Sequence, residues 1–232
     1  MWRRHSSRSK LPPRFKPADL PLRITFGQHQ AILRWLRPDD DGRLLAFFES
    51  HSPETVYQRY GFARGEMTPE QAAQLVNVDQ TRDAALGVFE ETGRPVRLVA
   101  VGRYCLGADG RWAEVAFVVH EAWRGLGIGH ALFAALRTIA VERGLERLVA
   151  VVQHDNTPML AMARAAGAVI EPVSGTSTVE ATVTLARDTE PPSASGGHRR
   201  QAARSNWAST AACSATVRLE RVSRVLLRMP LP

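Results

Sequence analysis

The chain has 232 residues, of which 44% are hydrophobic, and this length can close one sizeable core. It contains no run of about 18 uncharged apolar residues and no apolar N-terminal signal sequence, so a cytoplasmic protein without a membrane-spanning helix is expected. The formal net charge of +7 comes from the two ends of the chain, since residues 1–20 carry +5 and residues 188–232 carry +4. The remaining residues, 21–187, carry a net charge of −2, which disfavours a nucleic-acid-binding domain.

The first part of the chain divides into an arm and the start of a domain. Residues 1–21 are rich in charge, Ser and Pro and have no sustained period, which predicts a flexible basic arm. Residues 22–36 alternate between apolar and polar side chains and are predicted to form one strand. A helix is predicted next, because Pro38 and three aspartates precede the apolar residues between Leu44 and Phe48.

Two short helices and three strands follow. Ser52-Pro53-Glu54 starts a helix that ends near residues 60–61, and Thr68 caps a second helix that has Pro69 at its first position. The pattern then changes to a period of two. It predicts three consecutive strands in an antiparallel meander, over residues 84–91, 96–106 and 112–120.

The rest of the predicted domain alternates helices with strands. Five apolar residues at helical spacing, from Ile128 to Ile139, predict a helix over residues 127–143. The remaining elements are a buried strand, a helix capped by Asn156 and two closing strands, over residues 148–152, 157–166, 168–170 and 179–185. Residues 187–232 lose this patterning and are predicted to be a disordered basic tail, so the domain is expected to span residues 22–186.

The segment from Arg124 to Gly129 joins a predicted strand to the long helix and has glycine at every second position. Glycines let the backbone approach a ligand closely, and a helix N-terminus presents unpaired N–H groups and the positive end of its dipole. Phosphate is the natural ligand of such a turn. Two other phosphate motifs do not fit, since His130 replaces the last glycine of the pattern GxGxxG and the P-loop lysine is absent.

The sequence Arg-Gly-Leu-Gly-Ile-Gly resembles the acetyl-CoA signature of the GNAT superfamily of N-acetyltransferases, and the order of the flanking elements is similar to that family's. The resemblance implies a single α/β (α+β) domain with acetyl-CoA as co-substrate. Its central sheet would be mixed, mostly antiparallel, flanked by helices and splayed at strands four and five, with the pantetheine arm between them. The residues implied for pantetheine and thioester are Phe117, Val118 and Val119. Those implied for the pyrophosphate are Arg124, Gly125, Leu126, Gly127, Ile128, Gly129 and His130. Asn156 corresponds to a frequent asparagine near the pantetheine, and a plain N-cap role is equally open.

Amide formation from a thioester needs a base for the amine and donors for the oxyanion. Glu114 is the predicted base, because residues 113–117 resemble the Ala-Glu-Ile-x-Phe strand of the superfamily's protein lysine acetyltransferases and burial would raise its pKa. An outward-facing strand carboxylate is the alternative. The backbone N–H near Val118 is the expected oxyanion donor. Weaker candidates for the base are three histidines, His120, His130 and His154.

Ala163 stands where many small-molecule enzymes of the superfamily have a tyrosine that protonates the leaving thiolate. This absence, with the patterns at residues 37–40 and 52–60, resembles the Pat-type bacterial protein lysine acetyltransferases. The resemblance implies transfer to a protein lysine by direct attack in a ternary complex. The sequence does not fix the oligomeric state, and a monomer or a homodimer is expected. The seven His and two Cys show no metal-ligand spacing, so no metal is expected. Two alternatives stay open: acetylation of a small-molecule amine or protein N-terminus, and a non-catalytic acyl-CoA-binding regulator.

Overall fold

The computed structural model describes residues 11–12, 15–60, 67–92 and 95–185, which form eight strands and five α-helices. The strands are β1 (Leu22–Phe26), β2 (His29–Trp35), β3 (Ala84–Glu90), β4 (Arg97–Leu106), β5 (Trp112–Val119), β6 (Arg147–Gln153), β7 (Val169–Pro172) and β8 (Thr178–Thr184). The helices are α1 (Asp41–Glu49), α2 (Pro53–Tyr60), α3 (Pro69–Val76), α4 (Ile128–Glu142) and α5 (Thr157–Ala165).

All eight strands belong to one sheet, in the order β1-β2-β3-β4-β5-β6-β8-β7. Neighbouring strands are antiparallel except β5 and β6, which are parallel. The meander predicted over residues 84–120 is confirmed as β3, β4 and β5, and the Gly107 N–H donates to the Trp112 carbonyl (2.8 Å) at its second turn. The mixed, mostly antiparallel sheet is therefore confirmed.

The prediction of one strand over residues 22–36 is wrong, because this segment is the hairpin of β1 and β2. The strands pair from Leu22 opposite Leu33 to Phe26 opposite His29. Gly27 makes the turn with φ +63°, a conformation that favours glycine. The hairpin adds a strand before the meander, so the strands expected to be fourth and fifth are β5 and β6.

The helices and helix caps predicted from the sequence agree with the structure. The Thr68 hydroxyl accepts a hydrogen bond from the Gln71 N–H (3.2 Å) at the start of α3. The apolar stripe of α4, from Ile128 to Ile139, lies in the core. Helix caps and helical periodicity could be predicted because both depend on residues that are close together in the sequence.

The helices cover the two faces of the sheet, and each face has its own core. α4 and α5 lie on one face, around residues such as Leu132, which is fully buried. α1, α2 and α3 lie on the other, around residues such as Val56, which is 1% exposed. Because side chains alternate along a strand, β5 directs Val115 to the α4–α5 face and Glu114 to the α1–α3 face.

The splay predicted in the sheet is present between β5 and β6. The two strands pair only from Trp112 opposite Arg147 to Glu114 opposite Val149. β5 continues to Val119 and β6 to Gln153, beyond these pairs, so the strands separate toward their C-terminal ends.

Packing begins earlier in the chain than the boundary expected at residue 22. Phe15 is 8% exposed and belongs to the larger core, and a 3-10 turn at Pro17–Asp19 contacts α4. Residues 1–10 of the predicted arm and the tail predicted over residues 187–232 lie outside the described residues. Among the helices that the structure describes, none combines the length and apolarity needed to cross a bilayer.

Candidate active site

The predicted phosphate loop is a tight turn between β5 and α4. A 3-10 turn at Glu121–Trp123 follows β5, and the chain then passes through Gly125 (φ +76°) and Gly127 (φ +88°) before α4 begins at Ile128. Both glycines occupy the left-handed region, which residues with a side chain rarely adopt. The backbone of the turn therefore requires glycine at these two positions.

The start of α4 presents a cluster of backbone donors. The Ala131 N–H donates to the Gly127 carbonyl (3.1 Å), so the N–H groups of residues 128–130 precede the hydrogen bonds of the helix. The positive end of the helix dipole points in the same direction. This arrangement can bind a diphosphate without any cationic side chain.

The side chains around these donors leave the backbone accessible. Ile128 is 1% exposed and Leu126 packs partly against the same core, so each can offer a ligand its backbone amide alone. A side chain added at Gly125 would meet no atom within 4 Å, and one at Gly129 would lie 3.5 Å from the Met162 sulfur. The approach to the helix N-terminus is therefore open at Gly125.

The Arg124 side chain turns toward α2. Its Nη2 donates to the Thr55 hydroxyl, its Nε donates to the Val119 carbonyl (3.3 Å), and Nη2 lies 3.9 Å from Glu121 Oε1. Glu121 Oε1 also accepts from Thr55 and from the backbone and hydroxyl of Ser52 (3.0 and 2.8 Å). Burial raises the pKa of Glu121, but these hydrogen bonds outweigh it and bring the pKa to about 2. This network joins the start of α2 to the loop.

A cavity open to solvent lies where β5 and β6 separate, and its empty space, together with the solvent at its mouth, is about 310 Å³. Its walls are apolar and include Val115, Phe117, Phe133, Leu148, Met159 and Met162. Ala163 also lines the cavity and brings no hydroxyl to it. Of the three β5 residues that the family resemblance implies for pantetheine, Phe117 lines this cavity, whereas Val118 lines a cavity on the other face of the sheet. The apolar slot suits a flexible, mostly apolar arm.

Strand geometry decides which backbone donors of β5 face this gap. The His120 N–H donates to β4 (3.0 Å). Because hydrogen-bonding residues alternate along an antiparallel ladder, the Val118 N–H points to β4, and the N–H groups of Phe117 and Val119 point to the gap. The candidate oxyanion donor is therefore the N–H of Phe117 or of Val119, each one residue from the expected position at Val118.

Glu114 lies on the other face of β5, toward α2. Burial raises its pKa to about 7; the positive charge of Arg59 opposes this shift, and the negative charge of Glu180 on β8 adds to it. No hydrogen bond to its carboxylate occurs within the described ranges. A partly buried carboxyl with a pKa near neutrality can accept a proton from an amine.

Asn156 and two of the candidate histidines, His120 and His154, contact nearby backbone atoms. Asn156 caps α5 by accepting from the backbone N–H three residues later (3.2 Å). His120 Nδ1 accepts from the backbone N–H two residues later (3.2 Å), and His154 Nδ1 lies 2.9 Å from the Ser177 carbonyl. His130 lies in the first turn of α4. In the part of the chain that the structure describes, no three His, Cys, Asp or Glu residues form a metal-binding group.

A larger cavity lies between the sheet and the first three helices, on the face of Glu114, and its empty space, together with the solvent at its mouth, is about 650 Å³. Its lining is mostly apolar and includes Ala116 and Val118 of β5. It also contains Arg103 of β4 and His51 after α1, which are 8% and 4% exposed. Neither the Arg103 Nε nor the His51 Nε2 has a hydrogen-bond partner in the part of the chain that the structure describes. Sequence patterns did not indicate these two residues, because their lack of partners depends on packing between distant elements.

Comparisons with known proteins match this architecture. The sequence model of the Acetyltransferase (GNAT) family matches residues 45–168, from α1 to the end of α5. The chain is 26% identical over 133 residues to Acetyltransferase PA5475 of Pseudomonas aeruginosa, an alignment that covers 57% of this chain and 71% of that protein.

Two further relatives are Pat proteins. The chain is 32% identical over 151 residues to Acetyltransferase Pat of Mycolicibacterium smegmatis, covering 65% of this chain and 44% of Pat, so the match spans less than half of Pat's length. The solved GNAT domain of S. lividans PAT superposes with a TM-score of 0.65 at 26% identity, covering 74% of this chain and 100% of that one.

Proposed function

This chain belongs to the acetyltransferase (GNAT) family, and from that premise we propose that it transfers the acetyl group of acetyl-CoA to a protein lysine, with Glu114 as the base. The observation that carries the proposal is the environment of Glu114, a carboxyl without a hydrogen-bond partner in the described chain and with a pKa near 7. It lies on the strand that also borders the cofactor slot. Direct attack of the amine on the thioester in a ternary complex is the reaction that this arrangement supports.

The proposed cofactor site uses backbone atoms more than side chains. The N–H groups of residues 128–130 bind the pyrophosphate, and the pantetheine arm lies in the slot between β5 and β6. The guanidinium of Arg124 stays with Thr55 and Glu121, so it adds positive charge at the rim and does not clamp a phosphate. Asn156 supports the slot by capping α5.

The proposed reaction needs one base and one oxyanion donor. Glu114 takes a proton from the acceptor ammonium, directly or through a water, and the freed nitrogen lone pair attacks the thioester carbonyl carbon. The negative charge that develops on the carbonyl oxygen is stabilised by the N–H of Phe117 or Val119. The C–S bond then breaks, the CoA thiolate leaves, and the second proton of the attacking nitrogen passes to water, which leaves a neutral amide.

The leaving thiolate finds no hydroxyl at Ala163, which lines the slot with a methyl group. A thiolate is a weak base compared with an alkoxide, so water can supply its proton after the C–S bond has broken. The proposed mechanism therefore needs no second catalytic side chain.

A cationic acceptor fits the charges near Glu114. Burial is the main cause of the raised pKa of Glu114, and the negative charge of Glu180, which lies on β8 opposite Val151, adds to it against the positive charge of Arg59. Two carboxylates on one face attract an ammonium group, such as that of lysine, before it is deprotonated. The similarity to two Pat proteins also supports a lysine acceptor.

An acceptor panel tests the proposal. Radiolabelled acetyl-CoA is incubated with the intact protein and with whole-cell lysate, lysine peptides, peptides whose free amine is the N-terminus, or small amines, and thiol release is measured. The expected result is label on protein lysines, with release lowered by Glu114→Gln and kept by Glu142→Gln, which alters an exposed carboxylate on α4. Label confined to small amines or N-termini would refute the lysine acceptor. Binding of acetyl-CoA without thiol release over any acceptor would indicate a regulatory protein instead.

A further inference from the structure

The larger cavity contains Arg103, a cation that has no counter-ion among the residues the structure describes. Arg103 is 8% exposed, and its Nε has no hydrogen-bond partner within the described ranges. Two arginines, Arg59 and Arg103, lie among the described lining residues, and no aspartate or glutamate is found among them. Burial of an unpaired guanidinium is costly, and buried arginines are normally paired with an acidic group. The expected partner of Arg103 is therefore an anion that the described part of the chain does not supply.

The position of Arg103 relates it to the thioester. Arg103 lies directly opposite Ala116 on β5, which is two residues, or about 7 Å along the strand, from Val118. The cavity wall includes Ala116 and Val118, so the cavity adjoins the part of β5 where the thioester is proposed to lie. Glu114 is not among the residues that line the cavity. This geometry favours the acyl end of the donor over the acceptor amine as the occupant.

We propose that this cavity binds the acyl chain of the donor and that Arg103 binds a carboxylate at the end of that chain. The donor would then be the CoA thioester of a short dicarboxylic acid, used in addition to acetyl-CoA. The mostly apolar walls suit the methylene groups, and the planar guanidinium suits two carboxylate oxygens. This inference rests on the proposed function, because it needs the thioester to lie beside β5.

His51 supplies a second polar atom to the same cavity. Its Nδ1 contacts the Phe47 carbonyl and must donate to it, so Nε2 is the nitrogen without a partner among the described residues. Burial lowers the pKa of His51, which keeps the ring neutral in the free protein. A bound carboxylate would favour the protonated ring, whose Nε2 can donate to a carboxylate oxygen.

Titration calorimetry of the intact protein with acetyl-CoA and with succinyl-CoA tests the inference. The charge-assisted hydrogen bonds of Arg103 predict that succinyl-CoA binds at least about tenfold more tightly than acetyl-CoA. Arg103→Met should bring the ratio of the two dissociation constants to about one. Arg137→Met removes an exposed arginine from α4 and should keep the wild-type ratio.

The melting temperature of Arg103→Met without ligand provides a second readout. Removal of an unpaired buried charge should raise this temperature, whereas removal of a structural ion pair would lower it. Arg103→Lys keeps the charge without the planar fork and should give an intermediate affinity ratio. Equal affinity of the wild type for both donors, or an Arg103→Met variant that keeps the wild-type ratio or melts earlier, would overturn the inference. A failure of acetyl-CoA itself to bind would instead refute the proposed function.

Discussion

Replacement of Glu114 by glutamine keeps the shape of the side chain and removes its ability to accept a proton. A positioned general base contributes about 10²- to 10⁴-fold to a rate, so kcat should fall by about that factor. The affinity for acetyl-CoA should change little, because Glu114 and the cofactor slot lie on opposite faces of β5. Steady-state thiol release and calorimetry measure these two quantities separately.

The same variant should alter the pH dependence of the rate. With the pKa of Glu114 at about 7, kcat/KM of the wild type should rise as pH increases through 7 and level off above it. The Glu114→Gln variant should lose this rise, since no carboxyl titrates at that position. A wild-type profile that stays flat between pH 5 and pH 8 would refute the assignment of the base.

The stability of the variant provides an independent check. Burial raises the pKa of Glu114 from its ordinary value of 4.5 to about 7, so the ionised group destabilises the folded protein. This penalty is absent below the unfolded pKa, grows as pH rises toward 7, and reaches on the order of 3 kcal/mol above it. Glu114→Gln should therefore unfold at a higher denaturant concentration than wild type at pH 8, with a smaller gain at pH 5. A gain independent of pH would contradict the buried-carboxyl explanation.

Three other substitutions and one control variant test separate parts of the structure. Gly127→Ala should lower the free energy of unfolding by about 1–2 kcal/mol, because the φ of Gly127 is +88°, and it should also weaken acetyl-CoA binding. The control Gly110→Ala, at φ +70° in a distant turn, should lower the free energy of unfolding and leave acetyl-CoA binding unchanged. Asp40→Asn should lower the free energy of unfolding, measured by chemical denaturation, by about 3 kcal/mol or more, because Asp40 is fully buried and binds Arg34 through both carboxylate oxygens (2.7 Å each). A decrease of less than about 1 kcal/mol would contradict this explanation. Thr55→Val should raise the pKa of Glu121 from about 2, since it removes a hydrogen bond to the ionised form, and an unchanged pKa in an NMR titration would exclude that bond.

Local signals predicted most elements of the fold. Thr68 and Asn156 cap their helices as expected, and the stripe of α4 faces the core. The hairpin of β1 and β2 was missed because a two-residue turn inside an alternating run leaves the period of two almost intact. Gly27 was the available signal, since an isolated glycine in a strand pattern often marks a break.

The glycine loop was predictable because its parts are contiguous in the sequence. The network around Glu121 was not, since Ser52 and Thr55 lie 69 and 66 positions away from it. Arg103 was visible as a charge within a strand pattern. Its importance depends on the helices that cover it and on the absence of a partner in the described cavity lining, and neither follows from a local pattern.

The central claim is that the backbone amides at the start of α4 bind the diphosphate of CoA. Titration calorimetry of the intact protein with acetyl-CoA, and with acetyl-pantetheine as the matched ligand without a diphosphate, tests it most directly. Saturable binding of acetyl-CoA and much weaker binding of acetyl-pantetheine are expected. Equal affinity for the two ligands, or no heat from acetyl-CoA at millimolar concentration, would contradict the claim.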